Sequence, residues 1–263
     1  IYPFLPDENY GPYDVINPSE IGLVVILTSG VGFLGYVLMR VLGANKGVLL
    51  TGIIGGLVSS TMVTWVFSKK SKEQSTLNAL YTSAILAACT IMVGRVFLWV
   101  FLFNKSLLAG LMLPLSILFL TAVGATIYFY IKDKKTNGKE ESMPLGKPLE
   151  LTNAMWFGVL YAAILLVISY ANDYLGNEGI YITSGIAGLS DVDAITISIS
   201  KMSAISISVI TAQNAILLAT LANTVTKFAI ALWASSKEMR KHVIIGYGAI
   251  FIAALVAFGV LNV

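Results

Sequence analysis

The sequence is poor in charge, cysteine and histidine. Only 12% of its 263 residues are Asp, Glu, Lys or Arg, while 57% are hydrophobic and the mean hydropathy is +0.82. That balance excludes an ordinary water-soluble domain. A single cysteine, Cys89, lies inside an apolar run and excludes a disulfide framework. One histidine, His242, stands beside Lys241 at the start of an apolar segment, where an interfacial role is expected rather than a ligand's. No metal-ligand spacing, phosphate-cradling glycine loop or nucleophile–base constellation stands out, so no enzyme is expected. Nor is there a basic, aromatic-laced face, so no nucleic-acid partner is expected. No signal-peptide pattern precedes the first apolar run and residue 1 is isoleucine, so an upstream part of the protein is expected to be missing.

Long uncharged runs are abundant. Several reach the roughly 20 residues that a helix needs to cross about 30 Å of hydrocarbon. The expected fold class is an all-α polytopic membrane protein whose main partner is the lipid bilayer. Residues 1–18 carry Asp7, Glu8 and Asp14 with several prolines and no Lys or Arg, and read as an interfacial loop. Spans are expected at about 20–42, 77–103, 107–131, 152–172, 205–234 and 242–262, with a Lys-rich linker at 132–150.

Two further apolar segments are twins. Residues 47–68 align with 179–200 without a gap at an offset of 132 residues. Thr51 falls on Thr183, Gly56-Leu57 on Gly188-Leu189, Thr64 on Thr196 and Ser68-Lys69 on Ser200-Lys201. The same register puts Arg95 on Lys227. An internal duplication is therefore expected, with repeat 1 at 19–131 and repeat 2 at 151–263.

The lysines and arginines suggest how the twins lie. If both cross, eight helices form two parallel repeats, and the loop Lys and Arg divide nine to six. If each twin enters and leaves on one face, as a re-entrant hairpin, they divide thirteen to two, with only Lys105 and Lys201 on the poorer side. Short-loop Lys/Arg bias sets membrane orientation, so the second arrangement is favoured. It makes two inverted repeats, each of three transmembrane helices plus one hairpin. The linker is then cytoplasmic and the N-terminal loop outside. Such repeats are the common construction of secondary transporters.

Chemistry-bearing residues concentrate at the two tips. The first reads Gly55-Gly56-Leu57-Val58-Ser59-Ser60-Thr61, and the second Gly188-Leu189-Ser190-Asp191-Val192-Asp193. Glycine allows a break or a close backbone approach, and Ser and Asp cap a following half-helix. Carboxylates at membrane depth cost several kcal/mol, roughly, and usually mark a site. Asp191 and Asp193 are thus candidate ligands for a hard cation such as magnesium, or proton acceptors, with Ser59, Ser60, Thr61, Ser190 and Asn223 around them. Gly52 with Gly56 also fits plain close helix packing. Arg95 and Lys227 are expected to balance the carboxylates, or to snorkel toward an interface. Gln213, Asn214 and Asn223 either line a cavity or bond between helices. Trp99, Trp156 and Trp233 fit interfacial belts.

Leu5-Pro6-Asp7, Tyr10-Gly11-Pro12, Asn17-Pro18, Ser29-Gly30, Gly35-Tyr36-Val37, the tip Leu50 to Thr61, Gly185 to Thr196, and Leu221-Ala222-Asn223-Thr224 with Lys227 together resemble a prokaryotic membrane domain of unknown function. That domain typically follows an MgtC/SapB-type membrane module and is loosely labelled as magnesium-linked. The resemblance covers nearly the whole chain and departs at Met62 and Trp65, where small or β-branched residues are more usual. It implies a prokaryotic cell membrane and a missing N-terminal membrane module. The functional expectation is a transporter or channel for a small cation at a midplane site between opposed hairpins. A non-transporting regulatory or structural subunit and an anion carrier using Arg95 and Lys227 are the alternatives. Homo-oligomerisation is compatible with all three.

Overall fold

A computed structural model describes residues 2–42, 47–132 and 151–262. Among these residues there are eight α-helices and no named strand: α1 (Pro18–Leu42), α2 (Val48–Lys70), α3 (Asn78–Phe103), α4 (Leu108–Lys132), α5 (Leu151–Ser190), α6 (Val192–Met202), α7 (Val209–Ala234) and α8 (Lys237–Leu261). All but α6 are long and apolar enough to cross a membrane. The chain is a polytopic, all-helical membrane protein. Residues 133–150 of the expected Lys-rich linker lie outside the described residues.

Three helical interruptions matter. In α2 a single residue, Ser59 (φ −162°, ψ 105°), is extended between two helical legs. Between α5 and α6, Asp191 (φ −146°, ψ 118°) does the same. Ser59 and Asp191 are 132 positions apart, so both interruptions fall at matching positions of the two twin segments. The third is Gly176 (φ 58°, ψ −140°) inside α5, in a backbone region that essentially only glycine enters. The sequence reading leaves 173–178 as a connection ahead of the second twin. Instead helix runs up to and away from Gly176, and one glycine makes the whole bend.

Leg lengths follow from these interruptions. At 1.5 Å per residue, the two legs of α2 and helix α6 are each roughly 16 Å long, about half of a hydrocarbon core. The α5 leg before Gly176 is long enough to cross, and the leg after it is not.

Contacts divide the chain into two compact units, each drawing on both sequence halves. The first holds the described residues within Ile1–Val31, Val96–Leu111 and Lys147–Asn223; the second holds those within Gly32–Arg95, Met112–Gly146 and Thr224–Val263.

In the first unit, α6 packs on α5. The start of α1 lies on α5 where Gly158 leaves room, a Cβ there standing 3.1 Å from Val25. Gln213 of α7 donates to the Leu107 carbonyl over Gly110. The N-terminal segment is fastened here: Asn17 donates to Asp7 and Asn9, and Tyr13 to Asp173.

In the second unit, α2 packs tightly on α3. A Cβ on Gly52 would meet the Ala84 carbonyl oxygen at 2.5 Å, and one on Gly56 the Ala88 Cα at 2.9 Å. Such backbone contact needs small residues and compensates for the weak hydrophobic drive between helices in lipid. Tyr247, Phe228 and Phe251 join α7 to α8. His242 packs on Phe129 and lies 3.5 Å from Lys132.

Candidate functional site

The interruption at Asp191 builds the site in the first unit. An extended residue ahead of a helix leaves backbone N–H groups unpaired, and the Asp191 side chain takes two of them. Its Oδ1 accepts from the N–H of Asp193 at 2.8 Å and of Ala194 at 3.0 Å. The carboxylate also faces the positive end of the α6 dipole, which favours it further. Asp191 is thus the N-cap of α6, with its Oδ1 committed to backbone.

Asp193 is placed differently. It lies in the first turn of α6, 6% exposed, and its Oδ1 accepts the indole N–H of Trp99 at 2.8 Å. Every residue of α6 from Val192 to Ser200 is buried. A carboxylate inside such a helix must be held by donors. Trp99 supplies one.

The break frees carbonyls as well. The Gly188 carbonyl would bond to the N–H four residues on, beyond the interruption, and instead accepts from Asn223 Nδ2 at 2.8 Å. Gly188 itself is pressed against α7, a Cβ standing 2.6 Å from the Ala219 carbonyl oxygen. Asn223 therefore ties α7 to the break, and Gln213 likewise bonds between helices. Ser190 is exposed.

The second unit repeats the pattern with weaker chemistry. Ser59 Oγ accepts from the Met62 N–H at 3.2 Å, the counterpart of Asp191 accepting from Ala194. Arg95 Nη1 donates to the freed Leu57 carbonyl at 3.4 Å. Ser60 is buried and its carbonyl accepts from Thr64, whereas Thr61, the counterpart of Asp193, is exposed. Lys227, 1% exposed, points its ammonium at the Met92 sulfur, 3.1 Å away.

The structure therefore brings Asp191, Asp193, Gly188 and Asn223 together in one unit. Ser59, Ser60, Thr61, Gly55, Gly56, Arg95 and Lys227 fall in the other. Among the described residues no group of three or more His, Cys, Asp or Glu could hold a metal ion. The breaks do not use the tip glycines: Gly56 and Gly188 serve close helix approach, and Ser59 and Asp191 carry the bends themselves.

One correction concerns Trp99. It is fully buried and bonded to Asp193, not part of an interfacial belt. Trp156 and Trp233, 68% and 72% exposed, do suit a belt. The sequence sets Trp99 one helical turn after Arg95, but its burial, and so the acceptor its indole N–H needs, is decided by tertiary packing.

With this geometry in view, comparison with other proteins adds kinship. A family described as a domain of unknown function, DUF4010, matches residues 26–235, and the chain belongs to that family. It is similar to an "uncharacterized protein" of Aquifex aeolicus (strain VF5), 33% identical over 193 residues, which are 73% of this chain and 84% of that protein. No solved structure matches the chain.

Proposed function

We propose that the protein is a carrier or channel for a small cation, with Asp193 the group that binds the cation or passes a proton. The observation that carries this is a buried carboxylate in the first turn of a half-length helix, gripped by Trp99. Ionisable groups inside apolar membrane helices are costly, and a functional site is the default reading for them. Interrupted helices near mid-membrane are where secondary transporters build ion sites. In this reading Asp191 holds the start of α6 in place, and a hard cation, magnesium among them, is the cargo.

Four contacts in the first unit support the re-entrant reading of the second twin. Asp173, before the interrupted segment, accepts from Tyr13, and Lys201, at its far end, pairs with Glu20 at 2.5 Å. The same N-terminal stretch thus engages the chain before and after the segment. Asn104, after α3, donates to the Ser200 carbonyl, and Thr211, at the start of α7, donates to Asn177. All these residues then share one membrane face. By parity, α1 leaves that face, α3 returns to it, and α2 begins and ends on the other. Three crossings per repeat follow, with the repeats inverted. The Lys/Arg bias makes the N-terminal face the outer one. The MgtC/SapB-type module implied by the resemblance would be a neighbour in the same cell membrane.

The test is cation flux in proteoliposomes. Asp193→Asn is expected to abolish flux that Asp191→Asn leaves measurable. Unchanged flux in Asp193→Asn overturns the assignment. Anion flux lost in Lys227→Met would favour the anion-carrier reading, for which the buried ammonium of Lys227 speaks. Absence of flux for any ion would favour a regulatory subunit.

A further inference from the structure

We infer that one face of α6 is the route by which water and a small hydrated cation reach Asp193 from the membrane face that bears Glu20. The inference rests on the transport reading above and extends it from a site to a path.

Four polar residues of this segment, Asp193, Thr196, Ser200 and Ser203, follow one another at intervals of three, four and three. At 100° per residue they fall within an arc of roughly 80°, about one turn apart along the axis. The hydroxyl oxygens of Thr196, Ser200 and Ser203 are buried and have no hydrogen-bond partner among the described residues. Thr196 and Ser200 are themselves fully buried.

Most other buried helix hydroxyls are bonded within their own helices, those of Ser68, Ser184 and Ser235 being further unpartnered ones among the described residues. Ser198, on the opposite side of α6, bonds back to the Ala194 carbonyl at 2.8 Å. Thr28, Thr82, Thr126, Ser169 and Thr220 each do the same, to the carbonyl four residues earlier in their own helices. That back-bond is the ordinary means of satisfying a hydroxyl inside a helix. Thr196 and Ser200 forgo it, and both lie on the Asp193 side.

The end of α3 runs beside this face. Trp99 bonds to Asp193 at its inner end, and Asn104 bonds to the Ser200 carbonyl near its outer end. At the rim Lys201 pairs with Glu20 and sits 5.8 Å from the Phe103 ring. The face is buried in this structure. Its unpaired hydroxyls cost free energy there and regain partners when water enters. Hydroxyl and carboxylate oxygens offer lone pairs to a hydrated cation or a proton-carrying water file, and the carboxylate at the inner end disfavours an anion.

The first twin lacks such a route. Thr64 bonds back to Ser60, and Ser71 bonds to the Ser68 carbonyl while accepting the Ser236 N–H. Among the described residues, Ser68 keeps a buried unpartnered hydroxyl in that series. The twins have diverged in the chemistry of this face.

The test is cysteine labelling in a Cys89→Ala background, with a positively charged, membrane-impermeant methanethiosulfonate added to the Glu20 face of intact proteoliposomes. Thr196→Cys and Ser200→Cys should react roughly tenfold or more faster than Ser198→Cys, because only their face opens to water. Adding Glu20→Gln should raise the Ser200→Cys rate about two- to fivefold, the population shift that loss of one exposed ion pair supplies. Labelling after denaturation in detergent confirms that every cysteine is present and reactive. Equal rates at 196 and 198, or no labelling at 196 and 200, overturn the route. Labelling with no cation flux supports the route and overturns the transport reading. Flux that depends on Asp193 without labelling overturns the route and leaves that reading intact.

Discussion

Trp99 and Asp193 stand 94 positions apart in sequence and 2.8 Å apart in space, indole N–H to carboxylate oxygen. The bond joins the end of α3 to the first turn of α6, and so joins the first half of the sequence to the interrupted segment of the second half. Trp99→Phe keeps the ring and removes the donor. It is expected to lower stability by about 1–3 kcal/mol, the cost of taking a donor from a buried acceptor. Thermal unfolding of the detergent-purified protein measures this, and an unchanged midpoint would deny the bond.

The two caps should differ in strength. Asp191→Ala deprives α6 of a side chain that accepts two N–H groups, and is expected to cost about 1–2 kcal/mol, while Asp191→Asn costs less because Asn also caps well. Ser59→Ala removes a single longer bond and should cost about 0.5–1 kcal/mol. The same unfolding measurement ranks the three variants. An Asp191→Ala cost below that of Ser59→Ala would contradict the capping geometry.

Close helix approach gives a third expectation. Gly52→Ala and Gly188→Ala each place a methyl within 2.6 Å of a backbone carbonyl oxygen on the neighbouring helix. Backbone cannot step aside as a flexible side chain can, so each should cost about 1–3 kcal/mol or more. Gly248→Ala, with nothing near its Cβ, is the control expected to be neutral or slightly stabilising.

Topology can be read chemically. Single cysteines at the exposed positions Asp173, Ala204 and Lys72 report three loops. The re-entrant reading requires Asp173→Cys and Ala204→Cys to label from one face and Lys72→Cys from the other. Eight crossings would put Asp173 opposite Ala204, with Lys72 on the Ala204 side.

Gly176 offers a sharper backbone test. At φ 58° and ψ −140° any side chain is strained, so Gly176→Ala should destabilise by about 1–3 kcal/mol although open space surrounds the Cβ. A neutral result in the unfolding assay would mean that the bend relaxes.

The membrane class, the spans and the unusual segments are legible in the residues alone, because a bilayer imposes length and apolarity on any helix that crosses it. The register of the twins is equally legible. It carried Ser59 onto Asp191, and both residues turn out to interrupt helices. Pattern also picked out Asp193, since a carboxylate in an apolar run is visible without coordinates. What sequence could not supply is which donor that carboxylate meets, because Trp99 approaches from a helix 94 residues away. Nor could it tell an interfacial tryptophan from a buried one, or a hinge glycine from a packing glycine. Those distinctions depend on which helix lies against which, and only tertiary packing decides that. The same holds for the hydroxyls of α6. Thr64 and Thr196 are identical in sequence and in repeat position, yet one is satisfied within its own helix and the other is not.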